Sequence, residues 1–177
     1  MDRLGLPYDV FPVNADETIP ADESPDDAAT VIALRKLDVG LLRNARGAAS
    51  WGIAADTLVE GPAGLLGKPA GAEEAVVMIS ALSGRTHAVH TSVAVHAPGG
   101  EIRSVRHTTK VTFRMLSARE VDAYVRTGEW QGAAGGYRIQ GVGAVLVERI
   151  DGLWSTVVGL PLGPLFGILS GMSYPLG

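Results

Sequence analysis

Hydrophobic and polar residues alternate along two segments in the middle of the chain, HAVHTSVAVHAP (87–98) and IRSVRHTTKVTFRML (102–116). Alternation with a period of two is typical of strands that bury one face, and the PGGE sequence between the segments favours a turn. We therefore predict two long antiparallel strands here. The same reasoning predicts a hairpin in which WGIAADTLVE (51–60) is followed by the turn GPAG and the short return LLGK.

Three further segments are predicted to be strands because they are rich in β-branched and aromatic residues. The segment YDVFPV (8–13) alternates near the start of the chain. Near its end, YRIQGVGAVLVERI (137–150) and LWSTVVGL (153–160) are joined at the dipeptide DG, which is typical of a tight turn.

Capping residues predict the first two helices. Ser24 followed by Pro25 is an N-cap followed by a first-turn proline, which predicts a helix over about 25–43. The segment GAEEAVVMISALSG (71–84) has glutamates in its first turn, and Gly84 can supply the left-handed residue that ends a helix.

Two more helices complete the prediction. Ser117 and Glu120 form a capping box for a helix that ends at Gly128, and an apolar helix is predicted over about 162–171. Helices that alternate with hairpins predict an α/β fold with a mixed sheet flanked by helices. The 177 residues show no linker, so we predict a single domain over 1–177.

Composition narrows the class of protein. Hydrophobic residues make up 46% of the chain and charged residues 19%, as in a folded globular protein. The net charge of −4 gives no basic surface for a polynucleotide, and the absence of cysteine favours a cytoplasmic location. The longest apolar stretch, 157–172, contains two prolines and is shorter than the roughly 20 residues of a membrane span, so no membrane partner is predicted.

Carboxylates and a lysine at element ends are the first candidates for chemistry. Asp16, Glu17 and Asp56 offer the hard oxygen ligands that suit Mg²⁺ or Mn²⁺, and Lys68 between a glycine and a proline could reach a phosphate. A solvated loop and an ordinary surface lysine are the competing interpretations. Asp56 and Thr57 could likewise face a cleft or form only a strand end.

Other polar residues leave similar alternatives. Lys36 could bind phosphate or be solvated on its helix, and Arg85 could contact phosphate or ribose or belong to a polar connection. The amide of Gln140 could recognise a base or pack at a strand edge. His87 and His90 point to opposite faces of their strand, which argues against a histidine metal site. The phosphate-loop, dinucleotide-binding and nucleophile-elbow motifs are absent from the sequence.

In their order along the chain, these clusters resemble the Maf-like nucleotide pyrophosphatases, from about residue 3 to 171. The resemblance also includes the helix that contains Lys36. The matching stretches are LGLPYDVFPVNADET, IAADTLVEGPAGLLGKP, ALSGRTHAVHTSV, VTFRMLSAREVDAYVRTGEW, AGGYRIQGVGAVLVERIDG and STVVGLPL.

The resemblance implies an elongated α/β fold with two lobes around a deep cleft, commonly as a homodimer. It implies hydrolysis of a nucleoside triphosphate between the α and β phosphates, with a divalent metal, to the monophosphate and pyrophosphate. The IQG form resembles the branch that acts on dTTP and UTP, and modified pyrimidine nucleotides are further candidate substrates.

The resemblance also implies a role for each matching residue. Asp56 is the expected proton acceptor that activates water, and with Glu17 it would hold the metal. Thr57 and Gln140 are expected to influence substrate choice. The cations expected to bind phosphates or to shape the cleft are Lys36, Lys68 and Arg85.

The chain departs from the family pattern in two places. Family members usually begin with a strand and a phosphate-binding loop of the type SxSPRR, and here Met1 aligns within the helix after that loop. The expectation is either a start upstream of Met1 or a shortened protein. Ala133 also stands where the family more often has a lysine. The alternative function is therefore a catalytically impaired nucleotide-binding or division-related regulatory protein.

Overall fold

The computed structural model describes residues 8–19, 22–44 and 47–175, and the statements below refer to these residues. They form a five-stranded sheet with the order β2-β1-β3-β4-β5, in which all neighbours are antiparallel. The strands are β1 (Gly52–Gly61), β2 (Gly64–Leu66), β3 (Thr86–His96), β4 (Ile102–Phe113) and β5 (Val147–Asp151). The helices are α1 (Pro25–Arg43), α2 (Ala72–Leu82), α3 (Ala118–Val125), α4 (Trp154–Val158) and α5 (Leu162–Gly171).

Helices cover both faces of the sheet. Ala33 and Leu37 of α1 pack on one face against Ala54 of β1 and Ala94 of β3. On the other face, the apolar side chains of the sheet pack with α2 and α3 in one cluster and with α5 in a second. The prediction of an α/β fold with a sheet flanked by helices is confirmed. The pairing is antiparallel throughout rather than mixed.

The capping residues hold the helix ends as predicted. Ser24 Oγ accepts a hydrogen bond from the backbone N–H of Asp27, and Ser117 and Glu120 form the reciprocal capping box of α3. Gly84 and Gly128 have φ angles of 65° and 76°, in the left-handed region that ends a helix. These local signals explain why the predicted starts of the first and third helices are correct. The predicted bounds of the last helix are also correct.

Two predicted strands are wrong. Residues 8–13 are irregular, with Val10 and Phe11 75% and 50% exposed, because no strand of the described sheet pairs with them. Within 153–160 the chain forms α4, which ends at Gly159 with a φ of 108°. Trp154 and Val157 of α4 pack on the apolar cluster beneath the sheet, so tertiary packing overrides the β-propensity of the segment.

The predicted strand over 137–150 is correct only for its last residues, in β5. A short 3₁₀ segment, Val142–Leu146, precedes it. A Cβ atom on Gly143 would lie 2.4 Å from the carbonyl oxygen of Arg138, so this backbone approach requires a glycine. The chain therefore folds back on itself here instead of extending.

Some predictions fall outside what the structure tests. Met1, which the resemblance places within a helix, lies in the segment 1–7, outside the described residues. The two-lobe arrangement around a cleft stays a prediction. Across the described ranges, no helix combines the length and the apolar character needed to cross a bilayer.

His87 lies inside the apolar cluster between the sheet and α2. Its ring makes edge-to-face contacts with Phe113 and Tyr137, at centroid distances of 5.1 and 5.4 Å, and its Nε2 is hydrogen-bonded to the Tyr137 hydroxyl at 2.8 Å. Burial lowers the pKa of His87 from 6.5 to about 4. The imidazole is therefore neutral at pH 7, and a neutral ring fits its apolar neighbours.

We expect the free energy of unfolding to decrease as the pH falls from 6.5 to 4. In this window the unfolded chain binds a proton at His87 that the folded chain does not bind, and stability therefore rises with pH. The full effect of this one group is about 3 kcal/mol. Urea unfolding at several pH values, for the wild type and for His87→Gln, measures it. Equal pH slopes for the two proteins would contradict the assignment, because the other histidines contribute to both.

Candidate functional site

A line of alternating charges connects α1 with β1. Lys36 Nζ lies 2.6 Å from Asp56 Oδ1 and 2.7 Å from Glu17 Oε1, and Lys68 Nζ lies 3.1 Å from Glu17 Oε2. The packing of α1 on the sheet explains the Lys36–Asp56 pair. Ala33 packs against Ala54, Lys36 follows Ala33 by one helical turn, and Asp56 follows Ala54 by two residues on the same face of β1. Two carboxylates and two ammonium groups thus meet in one place.

The ion pairs keep Lys36 charged. Its side chain is only 19% exposed, and burial is the largest single influence and acts to lower its pKa. The hydrogen bonds and charges of Asp56 and Glu17 together outweigh burial, and the pKa of Lys36 is raised above 10.5. The hydrogen bond from Lys36 lowers the pKa of Glu17, and Lys68 adds to this effect. At pH 7 the site therefore contains a fixed cation that can face an anionic ligand.

One oxygen of Asp56 is unused. Oδ1 accepts the hydrogen bond from Lys36, whereas Oδ2 is buried and has no hydrogen-bond partner among the described residues. An unsatisfied buried acceptor costs roughly 1–3 kcal/mol, and native proteins keep few of them. An oxygen in this state is available to a water molecule, a metal ion or a ligand.

Five of the predicted site residues line one cavity of about 230 Å³: Lys36, Asp56, Thr57, Lys68 and Gln140. Asp56 and Thr57 are consecutive in β1 and point to opposite faces of the sheet. Both reach the cavity because β2 pairs only with Val59–Gly61, which leaves the preceding edge of β1 without a neighbour in the described sheet. The cavity lies along this open edge.

A carboxylate clamp fixes the turn that carries Gln140. Glu129 accepts hydrogen bonds from the backbone N–H groups of Val142 and Gly143, at 2.9 and 3.1 Å. A Cβ atom on Gly141 would lie 2.4 Å from the Glu129 carboxylate, so a larger residue here would displace that carboxylate from the turn. The sequence QGVG thus folds into a tight turn that presents the Gln140 amide at the rim of the cavity.

Arg138 also lines the cavity, and the sequence analysis did not single it out. Its guanidinium donates to the backbone carbonyls of Glu129 and Gln131, at 3.1 and 2.6 Å, which holds a cation at the rim. The signal was present in the sequence: buried Tyr137 and Ile139 alternate with Arg138 and Gln140, so the two polar side chains share the other side.

Three predicted residues do not line this cavity. Glu17 contacts it only through its ion pairs with Lys36 and Lys68. Arg85 lines a separate depression with Glu60 and Lys110, and the register pairs Asp56 with Ser92, which places Arg85 roughly 20 Å away along β3. Asp16 pairs with Arg35 on the exposed side of α1, at 3.4 Å. For Asp16 the solvated-loop interpretation is therefore correct.

The donor atoms fit a hard divalent cation. Mg²⁺ is usually held by one or two carboxylates together with substrate phosphates, and Glu17 and Asp56 supply two carboxylates bridged by one lysine. The structure shows no cluster of three or more His, Cys, Asp or Glu side chains within its described ranges. The site therefore suits a cation that a phosphate ligand helps to bind rather than a metal held by the protein alone.

Comparisons with known proteins agree with the resemblance. The family model described as Maf-like protein matches residues 1–172. The chain is 42% identical over 174 residues to a dTTP/UTP pyrophosphatase of Myxococcus xanthus, which covers 98% of this chain and 86% of the relative. It is 41% identical over 162 residues to a nucleoside triphosphate pyrophosphatase of Xylella fastidiosa, and this match covers 92% of this chain and 86% of the relative. The chain belongs to the Maf-like protein family.

Proposed function

We propose that this protein hydrolyses nucleoside triphosphates, dTTP and UTP among them, to the monophosphate and pyrophosphate. The observation that carries the proposal is the unused Oδ2 of Asp56 in a cavity that also contains Lys36 and Lys68. A base beside two cations suits hydrolysis of a polyanion. The names of the relatives in Myxococcus xanthus and Xylella fastidiosa support the same reaction.

The residues of the cavity divide the reaction between them. Lys36, Lys68 and Arg138 offset the charge of the triphosphate, so that an attacking oxygen meets less repulsion. Asp56 accepts a proton from water, and the water oxygen forms a bond to the α-phosphorus. The bond from that phosphorus to the bridging oxygen breaks, and pyrophosphate leaves with the electron pair. The products are the monophosphate, pyrophosphate and a proton.

We propose that Glu17 and Asp56 hold the cation, Mg²⁺ or Mn²⁺, with the phosphates. Such an ion polarises the phosphoryl oxygens and neutralises charge that develops on the leaving group. Lys36 orients both carboxylates before the ion binds, since it contacts one oxygen of each. Thr57 and Gln140 line the same cavity, where they can contact the nucleoside part of the substrate.

Pyrophosphate release from the purified protein tests the proposal. We expect release from dTTP and UTP with Mg²⁺ or Mn²⁺, and none with excess EDTA. Release of orthophosphate instead would place the cleavage at the γ-phosphate and contradict the proposal. Tight nucleotide binding without turnover would favour the alternative of an impaired regulatory protein. Ala133 makes that alternative specific, because it lies in the cavity wall where the resemblance implies a lysine.

The proposal also includes a cytoplasmic homodimer. The resemblance implies the dimer, and the absence of cysteine from the sequence favours a reducing compartment. Light scattering coupled to size-exclusion chromatography gives the mass of the particle directly, and a monomer at micromolar concentration would contradict the dimer.

A further inference from the structure

A chain of hydroxyl groups passes from the cavity into the core. Thr57 Oγ1 of β1 lies 2.9 Å from Thr91 Oγ1, directly across the strand pair, and Thr91 Oγ1 lies 2.8 Å from the backbone carbonyl oxygen of Thr156 in α4. Thr91 is 1% exposed, so water does not compete for its hydroxyl. The hydrogen bonds of Thr91 are therefore determined by these two neighbours.

The direction of each hydrogen bond follows from a count of hydrogens. A carbonyl oxygen only accepts, so Thr91 donates its single hydroxyl hydrogen to Thr156. Thr91 can then only accept from Thr57, and Thr57 donates its own hydrogen to Thr91. What Thr57 has left for a ligand in the cavity is a lone pair.

The surroundings leave space for a ligand at this oxygen. Gly159 ends α4 beside it, and a Cβ atom on Gly159 would lie 3.3 Å from Thr57 Oγ1. Val157 and Val158 of α4 line the cavity on this side and offer apolar contacts to a flat ring. An acceptor beside an apolar wall suits a base that presents one N–H group.

We propose that Thr91 is a positioning residue that holds the Thr57 hydroxyl as an obligate hydrogen-bond acceptor, so that the cavity selects a base with an N–H group at N3. Thymine and uracil have this group. Cytosine has a lone pair at the same position, and two facing acceptors repel each other. The inference rests on the proposed binding of pyrimidine nucleotides and adds the physical cause of their selection.

Thr91→Val removes the constraint with little change of shape. The Thr57 hydroxyl then becomes free to rotate. It can donate a hydrogen bond to N3 of cytosine as well as accept one from the N3–H group of thymine. The carbonyl of Thr156 keeps the backbone hydrogen bond from Gly159, at 3.0 Å, and is not left unsatisfied. Thr91→Ser is the matched control, because serine keeps the hydroxyl and its direction.

The experiment measures binding of the non-hydrolysable α,β-methylene analogues of dTTP and dCTP by calorimetry, with Mg²⁺ present. We expect the wild type to favour the thymidine compound, and Thr91→Val to reduce that ratio about tenfold, as expected when a polar site stops rejecting the wrong partner. Thr91→Ser should keep the ratio within about twofold. The ratio of the two affinities is insensitive to a general loss of folded protein, because such a loss would reduce the apparent binding of both analogues equally.

A second comparison assigns the contact to the base. Methylation at N3 of the thymidine analogue should weaken binding to the wild type about tenfold and affect Thr91→Val much less. The proposal would be overturned if the binding ratio were unchanged in Thr91→Val, or if Thr91→Ser lost as much of it. It would also be overturned if a 3′-deoxy sugar, rather than N3-methylation, weakened binding in a way that depends on Thr91, since the contact would then be to the sugar. Absence of binding by the wild type would overturn it as well. Failure of the proposed reaction appears separately, as absence of pyrophosphate from dTTP while the analogues still bind.

Discussion

Asp56→Asn is expected to reduce kcat for dTTP hydrolysis by roughly 10²–10⁴, the usual contribution of a general base. Asparagine keeps the shape of the side chain, and its carbonyl oxygen can still accept from Lys36. The amide of asparagine cannot accept a proton from the attacking water, and it lacks the negative charge that binds a cation. The buried Oδ2 without a partner is the structural reason to assign this role to Asp56 rather than to Glu17, which is half-exposed and accepts from two lysines.

The measurement compares pyrophosphate release with binding of the α,β-methylene analogue of dTTP. Asp56→Asn should bind the analogue within about tenfold of the wild type, because Lys36 and Lys68 remain. Asp16→Asn is the matched control: it removes a carboxylate from the same loop as Glu17, but one that pairs with Arg35 outside the cavity. If Asp56→Asn hydrolyses dTTP at the wild-type rate, the mechanism is wrong.

Local signals were sufficient for most of the secondary structure. The start of α1 follows from Ser24 and Pro25, and that of α3 from the Ser117–Glu120 box, because a cap is decided by residues within one turn. The strand predictions for 8–13 and 153–160 are wrong for a different reason. Whether such a segment becomes a strand depends on a neighbouring strand to pair with, and this information is not local.

The site shows the same division. Chemistry and the resemblance identified four charged residues one by one: Glu17, Lys36, Asp56 and Lys68. Their ion pairs, however, depend on how α1 packs on β1. Arg85 has equally suitable chemistry, but strand register places it in another depression. The direction of the hydrogen bond from Thr57 required three residues from separate elements, which no spacing along the chain reveals.

Lys36→Met is expected to destabilise the protein by about 3 kcal/mol at pH 7, near the lower end of what breaking a buried ion pair costs. The methionine leaves Asp56, whose side chain is 10% exposed, as a buried anion without its cation. Because the pKa of Lys36 is raised in the folded state, the stabilisation is fully present below about pH 10.5 and is lost as the pH rises through the folded pKa. Urea unfolding at pH 7 therefore measures the full effect.

A double variant separates the ion pair from the fold. Adding Asp56→Asn to Lys36→Met removes the uncompensated charge and should recover most of the lost stability, whereas it cannot recover hydrolysis. Lys68→Met is the matched control, since that lysine is 57% exposed and an exposed pair contributes less than about 1 kcal/mol. Equal losses for Lys36→Met and Lys68→Met would mean that burial of the Lys36–Asp56 pair is not what holds α1 against β1. Recovery of stability without recovery of activity would show that the loss in Lys36→Met comes from the uncompensated charge of Asp56, and that hydrolysis needs the charged residues themselves.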